Sequence, residues 1–217
     1  MPKTPTFPLE QPLSAIAKGG SLTITPKQEQ ILQGAIRVFL QEGYARTSMD
    51  RVSAAAGVSK QTIYSHFQDK EGLFKALMER LTLACFQSIF ADTELHGEPA
   101  ILLRQVAKIY LTKVADNPDY LGLLRLMITE SQNFPELAKL YNQTVVQRGR
   151  QILSQYFAAH PELGINDPEA MAHIFFGSLV SYVIVQEILH GKELTSLSRD
   201  RLLDTLMNVI MSQSITQ

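Results

Sequence analysis

Apolar residues recur at helical spacing along nearly the whole chain from Pro26 onward, and no stretch alternates apolar and polar residues over the length of a strand. Glycine and proline interrupt the pattern at intervals, ending one helix and opening the way to the next. The pattern predicts an all-α protein of about nine helices. Residues 1–25 contain prolines and glycines without periodicity, which predicts a disordered tail.

The N-terminal third predicts two short helices joined by a tight turn. Ser48 can cap a helix that ends near Ala56, and Gly57 follows it, where a residue without a Cβ tolerates left-handed backbone. Ser59 then caps a second helix, Lys60–Phe67, whose outer face is polar. This is the helix-turn-helix arrangement, which inserts its second helix into the major groove of DNA. An ordinary helical hairpin with a solvated polar face is the open alternative.

The side chains around this hairpin suit DNA contact. Gln61 and Lys60 can hydrogen-bond to base edges, and Thr62 could contact a thymine methyl group or a phosphate. Lys70 begins the next helix, where its ammonium and the unpaired backbone N–H groups would form an anion site. Taken singly, Tyr64 could instead pack its ring and His66 could be a surface histidine. We predict these DNA-binding residues: Arg46, Thr47, Ser48, Ser59, Lys60, Gln61, Thr62, Tyr64, His66 and Lys70.

Longer helices flank the hairpin. Pro26 at a first helical position after Thr25 predicts an amphipathic helix to about Gln41 that stops near Gly43. A second long helix is predicted over residues 70–91, where it would run from the hairpin into the rest of the chain.

The contiguous segment from Ala54 to Phe74, AAAGVSKQTIYSHFQDKEGLF, resembles the signature of the TetR/AcrR family of bacterial one-component transcriptional regulators. With the first helix, the resemblance covers about a quarter of the chain. It implies a three-helix DNA-binding domain, a helical ligand-binding domain and a homodimer. The implied division is a disordered tail at 1–25, a helix-turn-helix domain at 26–70 and an effector-binding and dimerisation domain at 71–217.

The charge distribution changes how the net charge of −1 should be interpreted. Residues 1–80 hold 10 Lys+Arg against 7 Asp+Glu, whereas residues 81–217 hold 10 against 14. Positive charge is therefore concentrated where DNA would dock. Because this bias is modest, pairing two subunits would be the natural way to gain affinity and half-site specificity.

The last two predicted helices, at residues 168–190 and 198–212, are apolar on more than one side. Packing against the same pair from a second subunit, as a four-helix bundle, would cover both faces. The alternative is a purely internal core. The predicted interface residues are Ile174, Gly177, Ser178, Ser181, Val185, Leu203, Leu206, Met207 and Ile210.

Aromatic side chains, polarisable methionines and a few polar side chains among the C-terminal helices could line an apolar pocket. Each of these residues taken singly is more often part of a core, and His173 in particular. Our hypothesis is that a small, largely apolar effector wedges these helices, tilts the helix at 70–91 and spreads the two DNA-binding domains beyond the half-site spacing. The predicted pocket residues are Tyr110, Met127, Phe134, Tyr141, His173 and Phe176.

Other functional classes find little support in the residues. The single cysteine, Cys85, cannot form an internal disulfide, and the 5 histidines lack metal-ligand spacing. No glycine-rich phosphate loop or serine elbow occurs, so we expect neither an enzyme nor a cofactor or metal. With no secretory signal and no long apolar run, we expect a cytoplasmic repressor with no membrane partner. A DNA-binding protein of this fold controlled by a protein partner, or by no effector, is the second alternative.

Overall fold

The computed structural model describes residues 24–91, 98–195 and 197–212. The predicted disordered tail lies almost wholly outside the described residues, as does the side chain of Cys85. Helices make up most of the described residues, and no strand occurs among them, so the expected all-α class is confirmed.

Four helices form the N-terminal part: α1 (Pro26–Arg46), α2 (Met49–Ala56), α3 (Lys60–Phe67) and α4 (Lys70–Ala91). Five more follow: α5 (Pro99–Ala115), α6 (Pro118–Glu130), α7 (Pro135–Tyr141, a π-helical Asn142–Gln147 and Arg148–Ala158), α8 (Pro168–Val183 with a π-helical Ile184–Ile188) and α9 (Arg199–Ser212). Short 3-10 turns lie at Pro161–Leu163 and Gly191–Glu193. We call α1–α3 the head and α5–α9 the body.

The helix starts follow from local capping. Thr25 and Gln28 form a reciprocal capping box at the start of α1, and Ser59 accepts a hydrogen bond from the backbone of Thr62 at the start of α3. Gly57 ends α2 with φ 64°, the left-handed conformation that the sequence predicted. These signals place α2 and α3 where they were expected.

The regular part of the first helix ends near Gly43, as the sequence predicted. The chain kinks there, with φ 79° and ψ 166°, and makes one further helical turn to Arg46. Only glycine adopts this backbone conformation readily, so the kink occurs where the sequence allows it. The kink sets the direction in which the chain enters α2.

Two hydrophobic cores hold the molecule together, and one of them joins the head to the body. It combines Phe39 and Phe74 of the N-terminal helices with Leu126 of α6 and Leu137 of α7. Helix α6 approaches α1 so closely that a Cβ on Gly122 would lie 2.7 Å from the Leu40 Cδ2 atom. A displacement of α6 would therefore be felt in the head, because close-packed interiors transmit strain.

The second core lies within the body and corrects part of the predicted dimer interface. All four α9 residues assigned to that interface are buried in this core: Leu203, Leu206, Met207 and Ile210. They pack against the chain's own helices because the apolar stripe of α9 faces inward. The outward face of α9 instead carries Thr205, Asn208 and Val209.

Helix α8 keeps an apolar outer face. Over Pro168–Ile188 it is long and apolar enough to cross a membrane by length and composition, although 39% of its most apolar 18 residues is buried inside the molecule. Its exposed side carries Ile174, Ser181 and Val185, with Gly177 and Ser178 half-buried between them. The α8 members of the predicted interface are thus at the surface.

Candidate nucleic-acid interface

The α2–turn–α3 hairpin is held against α1 by hydrogen bonds to the end of α2. Helix C-termini leave backbone carbonyls without helical partners. Here the Gln30 Nε2 atom donates to the Ala56 carbonyl at 2.7 Å, and the Arg37 guanidinium donates to the Ala55 carbonyl at 2.7 Å. The turn is closed further by the Ser53 hydroxyl, which donates to the Val58 carbonyl at 2.6 Å. The hairpin is therefore a rigid support for α3.

Helix α3 presents one buried and one exposed face. Ile63 and Phe67 are buried in the shared core, whereas Gln61 and His66 are exposed. Tyr64 is 43% exposed, so its ring does not pack in the core. Gln61 makes no hydrogen bond to any described part of the chain, which leaves its amide able to pair with a base edge.

Polar contacts organise the first turn of α3. Lys60 donates to the Asp50 carboxylate at 2.9 Å, and this hydrogen bond raises the pKa of Lys60. The Ser59 and Thr62 hydroxyls lie 2.7 Å apart. Both side chains of the ion pair are exposed, so a phosphate or base could replace Asp50 as the partner of Lys60.

Thr47 is a correction to the predicted set. Its side chain is buried, with 4% of the residue exposed, and its hydroxyl donates to the Gly43 carbonyl at 2.7 Å. The hydroxyl is used to close the kink in α1, so it is not presented to DNA. The neighbouring Arg46 and Ser48 are exposed, and Ser48 caps α2.

Lys70 also has a different setting from the predicted anion site. Its ammonium donates to the Tyr44 carbonyl at 2.9 Å and to the Ala45 carbonyl at 3.3 Å, and it lies 4.5 Å from the centre of the Tyr44 ring. Burial lowers the pKa of Lys70, and the carboxylate of Glu130 opposes this shift. In the first turn of α4, the Gly72 N–H already donates to the Asp69 carboxylate at 2.7 Å. The chain itself therefore supplies partners to both parts of the predicted site.

Two residues near the interface were missed by sequence reasoning. The side chain of Arg51, in the first turn of α2, is 67% exposed and forms an ion pair with Glu42. The position of Arg51 three residues after the predicted cap Ser48 could have indicated an exposed cation at the start of α2. Glu130, at the end of α6, reaches Ala45 near the C-terminal end of α1, and no pattern in the sequence connects the two residues.

The predicted effector-pocket residues do not form one site. The rings of Tyr110 and Phe176 meet edge to face in the body core, with centroids 5.6 Å apart. Met127 and Phe134 instead belong to the core shared with the head. His173 is exposed on α8 and lies in neither core.

Tyr141 lies between the two groups. It packs against both cores, and its hydroxyl is 3.3 Å from that of Tyr120. A ligand beside these two tyrosines would thus be close to the junction of the body with the head.

Gln186 is a buried polar residue in the π-helical end of α8. It is 3% exposed, and its Nε2 atom donates weakly to the Thr195 hydroxyl at 3.4 Å. Its Oε1 atom has no hydrogen-bond partner among the described residues. Such an orphaned carbonyl costs about 1–3 kcal/mol, and π-helical turns recur at functional sites. Among the described residues, no group of three or more His, Cys, Asp or Glu could hold a metal ion.

Comparisons with known families match most of the chain. The family described as bacterial regulatory proteins, tetR family, matches residues 31–77. The AefR-like transcriptional repressor C-terminal domain matches residues 102–212. The two matches cover the head with the start of α4 and nearly all of the body.

The curated relatives are named as helix-turn-helix transcriptional regulators. The chain is 34% identical over 85 residues to the HTH-type transcriptional regulator AcrR of Shigella flexneri, a match that spans 36% of this chain and 37% of that protein. It is 27% identical over 171 residues to the uncharacterized HTH-type transcriptional regulator YhgD of Bacillus subtilis, spanning 76% of this chain and 86% of YhgD. It is 43% identical over 53 residues to the HTH-type transcriptional repressor AcnR of Corynebacterium glutamicum, spanning 24% of this chain and 28% of AcnR.

Solved structures share the fold. FadR of Bacillus subtilis, determined in complex with stearoyl-CoA, superposes with a TM-score of 0.69 at 18% identity, covering 85% of this chain and 98% of FadR. The flavonoid-responsive regulator FrrA superposes with a TM-score of 0.65 at 24% identity, covering 87% of this chain and 93% of FrrA. At these identities the likeness concerns the architecture, a helix-turn-helix head on a helical body.

Proposed function

Because the chain belongs to the TetR family of bacterial regulatory proteins, we propose that it is a repressor that binds a palindromic operator as a homodimer and leaves it when a small, largely apolar effector binds. The observation that carries the proposal is the exposed polar face of α3, mounted on a buried apolar face. Its place of action is the cytoplasm, where the operator DNA lies.

On operator DNA, Gln61 pairs with a base edge in the major groove, since it is exposed and has no partner within the described chain. Lys60 exchanges Asp50 for a phosphate or base acceptor. Arg46, the last residue of α1, and Ser48, the cap of α2, are exposed and hold the backbone of one strand. Ser59, Thr62, Tyr64 and His66 complete the surface that faces the groove and its rim.

Gln61→Ala is expected to relax the base preference at one position of each half-site, at a cost of about 1–3 kcal/mol for the preferred sequence. The measurement is selection of bound duplexes from a random pool, followed by titration of the selected sequence and its single-base variants. Wild-type protein is expected to select a palindrome, as a symmetric dimer would.

Gln33→Ala is the matched control, because Gln33 is also an exposed glutamine but lies on α1, where it donates to Glu29 at 2.9 Å. It is expected to leave the preference unchanged. Equal losses on every sequence after Gln61→Ala would remove this residue from base contact, and selection of no sequence by wild-type protein would remove the operator itself.

Dimerisation is supported by the outer face of α8. The apolar side chains of Ile174 and Val185 are exposed on this face. Between them, nothing among the described residues lies within 4 Å of a Cβ placed on Gly177. Small residues between exposed apolar ones let a second helix approach closely. The outward residues of α9, Thr205 and Val209, would complete a four-helix interface with a partner subunit.

Effector binding is supported by the composition of the body core. Tyr110 and Phe176 bring two aromatic rings together in this core, and ten residues beyond Phe176 on α8 the buried Gln186 carbonyl has no donor among the described residues. Ligand sites commonly combine an apolar wall with a few polar groups that fix orientation. FadR of Bacillus subtilis was determined in complex with stearoyl-CoA, which carries a long apolar acyl chain, and FrrA is described as flavonoid-responsive, flavonoids being built on apolar aromatic rings. We infer an apolar effector that donates one hydrogen bond to Gln186.

Gln186→Leu is expected to leave the free energy of unfolding unchanged or to raise it by up to about 1 kcal/mol, because an apolar group replaces an unpaired carbonyl of similar size. The same change is expected to lower the affinity for an effector with a hydrogen-bond donor about tenfold. The measurements are urea unfolding followed by circular dichroism, and operator release by a hydroxylated flavone compared with its fully O-methylated ether.

Wild-type protein is expected to respond more strongly to the hydroxylated flavone, and Gln186→Leu to respond equally to both. Gln151→Leu is the control, since Gln151 is exposed on α7. Equal discrimination by wild-type and Gln186→Leu protein would exclude Gln186 as the contact. Release of wild-type protein by neither compound would exclude this ligand class.

A further inference from the structure

We propose that Glu130, the last residue of α6, is a positioning residue for DNA binding that acts through residues 43–45, which we call the entry hinge. The entry hinge connects α1 to the start of the helix-turn-helix. The geometry of the contact stands on its own, and its effect on DNA rests on the function proposed above.

The entry hinge cannot satisfy its own backbone. Gly43 has φ 79° and ψ 166°, which breaks the helical hydrogen-bond ladder of α1 at this point. Side chains from two other helices supply partners instead. The Ala45 N–H donates to the Glu130 carboxylate at 3.4 Å, while the Lys70 ammonium binds the carbonyls of Tyr44 at 2.9 Å and Ala45 at 3.3 Å. An anion and a cation thus hold the two polar groups of one residue, Ala45.

Close packing brings Glu130 to the entry hinge. Upstream on α6, Leu126 and Met127 are buried in the core shared with the head. Just beyond α6, the ring of Phe134 meets the ring of Tyr44 edge to face, with centroids 4.9 Å apart. The carboxylate lies so close to the kink that a Cβ on Gly43 would be 3.2 Å from the Glu130 Oε1 atom. The contact is therefore fixed by the body on one side and the kink on the other.

Charge adds to the same arrangement. Burial lowers the pKa of Lys70, and Glu130 is the carboxylate that opposes this shift. Loss of Glu130 would remove a negative charge that stabilises the partly buried ammonium of Lys70. The hydrogen bonds from this ammonium to the carbonyls of Tyr44 and Ala45 would then be weaker. One side chain of α6 therefore supports the entry hinge directly through Ala45 and indirectly through Lys70.

This placement gives the body a route to the head that does not pass along α4. A shift of α6 would pull on Ala45, which is followed by Arg46 at the end of α1 and by Ser48 at the cap of α2. The Glu130 contact would thus help to set how α3 is presented to the groove, because base contacts depend on how the recognition helix is oriented there.

Glu130→Ala is expected to raise hydrogen exchange at the Ala45 amide about twofold to threefold, since the hydrogen bond that is lost is long and exposed, at 3.4 Å. It is expected to lower the ratio of operator to non-operator affinity by a similar factor. Glu130→Gln keeps an acceptor oxygen and is expected to restore most of both. Exchange is measured by mass spectrometry on DNA-free, full-length protein, and affinity by titration of labelled duplexes.

Glu136→Ala is the matched control. Glu136 is an exposed carboxylate on α7 that acts on the same Tyr44 ring only through its charge. It is expected to change neither measurement. The proposal is overturned if Glu130→Ala leaves exchange at Ala45 unchanged, if exchange rises without any change in the affinity ratio, or if Glu136→Ala produces the same losses. If wild-type protein shows no operator preference, the proposed function fails, and exchange alone still decides whether Glu130 holds the entry hinge.

Discussion

Replacing Gly72 by alanine is expected to destabilise the head by about 3 kcal/mol and to weaken operator binding sharply. Gly72 lies in the first turn of α4, and a Cβ there would be 2.2 Å from the carbonyl oxygen of Phe67, the last residue of α3. A backbone carbonyl cannot rotate away as the tip of a side chain can. The ends of α3 and α4 would have to separate, which displaces the helix that contacts the bases.

The turn between α3 and α4 has little room to relax. Gln68 adopts φ 64° and ψ −57°, a backbone conformation that residues other than glycine rarely take. The Asp69 N–H donates to the Phe67 carbonyl at 2.7 Å, and the Asp69 carboxylate accepts from the Gly72 N–H at 2.7 Å. Relief of the clash at Gly72 would break these contacts as well, so the cost should exceed that of an ordinary glycine replacement.

Gly177→Ala is the control for this prediction. Gly177 also lies inside a helix, but nothing among the described residues is within 4 Å of the added Cβ. Alanine is favoured over glycine inside helices by about 1 kcal/mol, so the fold of each subunit should tolerate this change. Hydrogen exchange across residues 60–80 should therefore stay at the wild-type level, even where the added methyl group weakens the proposed contact of α8 with a second subunit. Urea unfolding by circular dichroism and hydrogen exchange across residues 60–80 provide the comparison. Wild-type stability of Gly72→Ala would show that α3 and α4 do not approach as described.

The elements of the head could be predicted because their signals are local. Ser59 caps α3 through Thr62, three residues away, and Gly57 adopts the left-handed conformation that the end of α2 requires. Such contacts depend on a few neighbouring residues and are therefore visible in the sequence. The same holds for the outward direction of Gln61, which follows from helical spacing to the buried Ile63 and Phe67.

Residues whose roles depend on distant partners could not be assigned in this way. Thr47 and Lys70 carry the right chemistry for phosphate contact, but the kink at Gly43 places carbonyls beside both of them. A sequence shows that a lysine has donors without showing which acceptors fold against it. Glu130 was missed for the same reason, since 85 positions separate it from Ala45.

The dimer helices show a further limit of periodicity. Spacing identifies the apolar stripe of a helix, yet it does not distinguish a stripe covered by the chain's own core from one covered by a partner. On α9 the stripe faces inward, as the burial of Leu203 and Ile210 shows. On α8 both sides are apolar, one facing the core through Phe175 and the other facing outward through Ile174. Only the packing separates the two cases.

Ile174→Arg is expected to convert the proposed dimer to monomers and to lower affinity for the full operator at least about 100-fold, while leaving affinity for an isolated half-site nearly unchanged. Ile174 is 51% exposed on the apolar face of α8. Burying a guanidinium against its copy from the second subunit would desolvate two like charges without a partner. The monomer has solvent at this position, so its fold should tolerate the change. Sedimentation velocity measures the oligomeric state, and titration of whole and half operators measures the coupling.

Ile101→Arg is the matched control, since it places the same charge on an isoleucine that is 62% exposed on a different helix, α5. It should remain dimeric and bind the whole operator as wild type does. If the dimer survives Ile174→Arg, the partner subunit binds on another surface. If both variants are monomers, the loss of the dimer is not specific to the apolar face of α8. Loss of whole-operator affinity in Ile174→Arg alone, with half-site affinity retained, would instead show that each head is complete. The second subunit then contributes by holding two heads at the spacing of the palindrome.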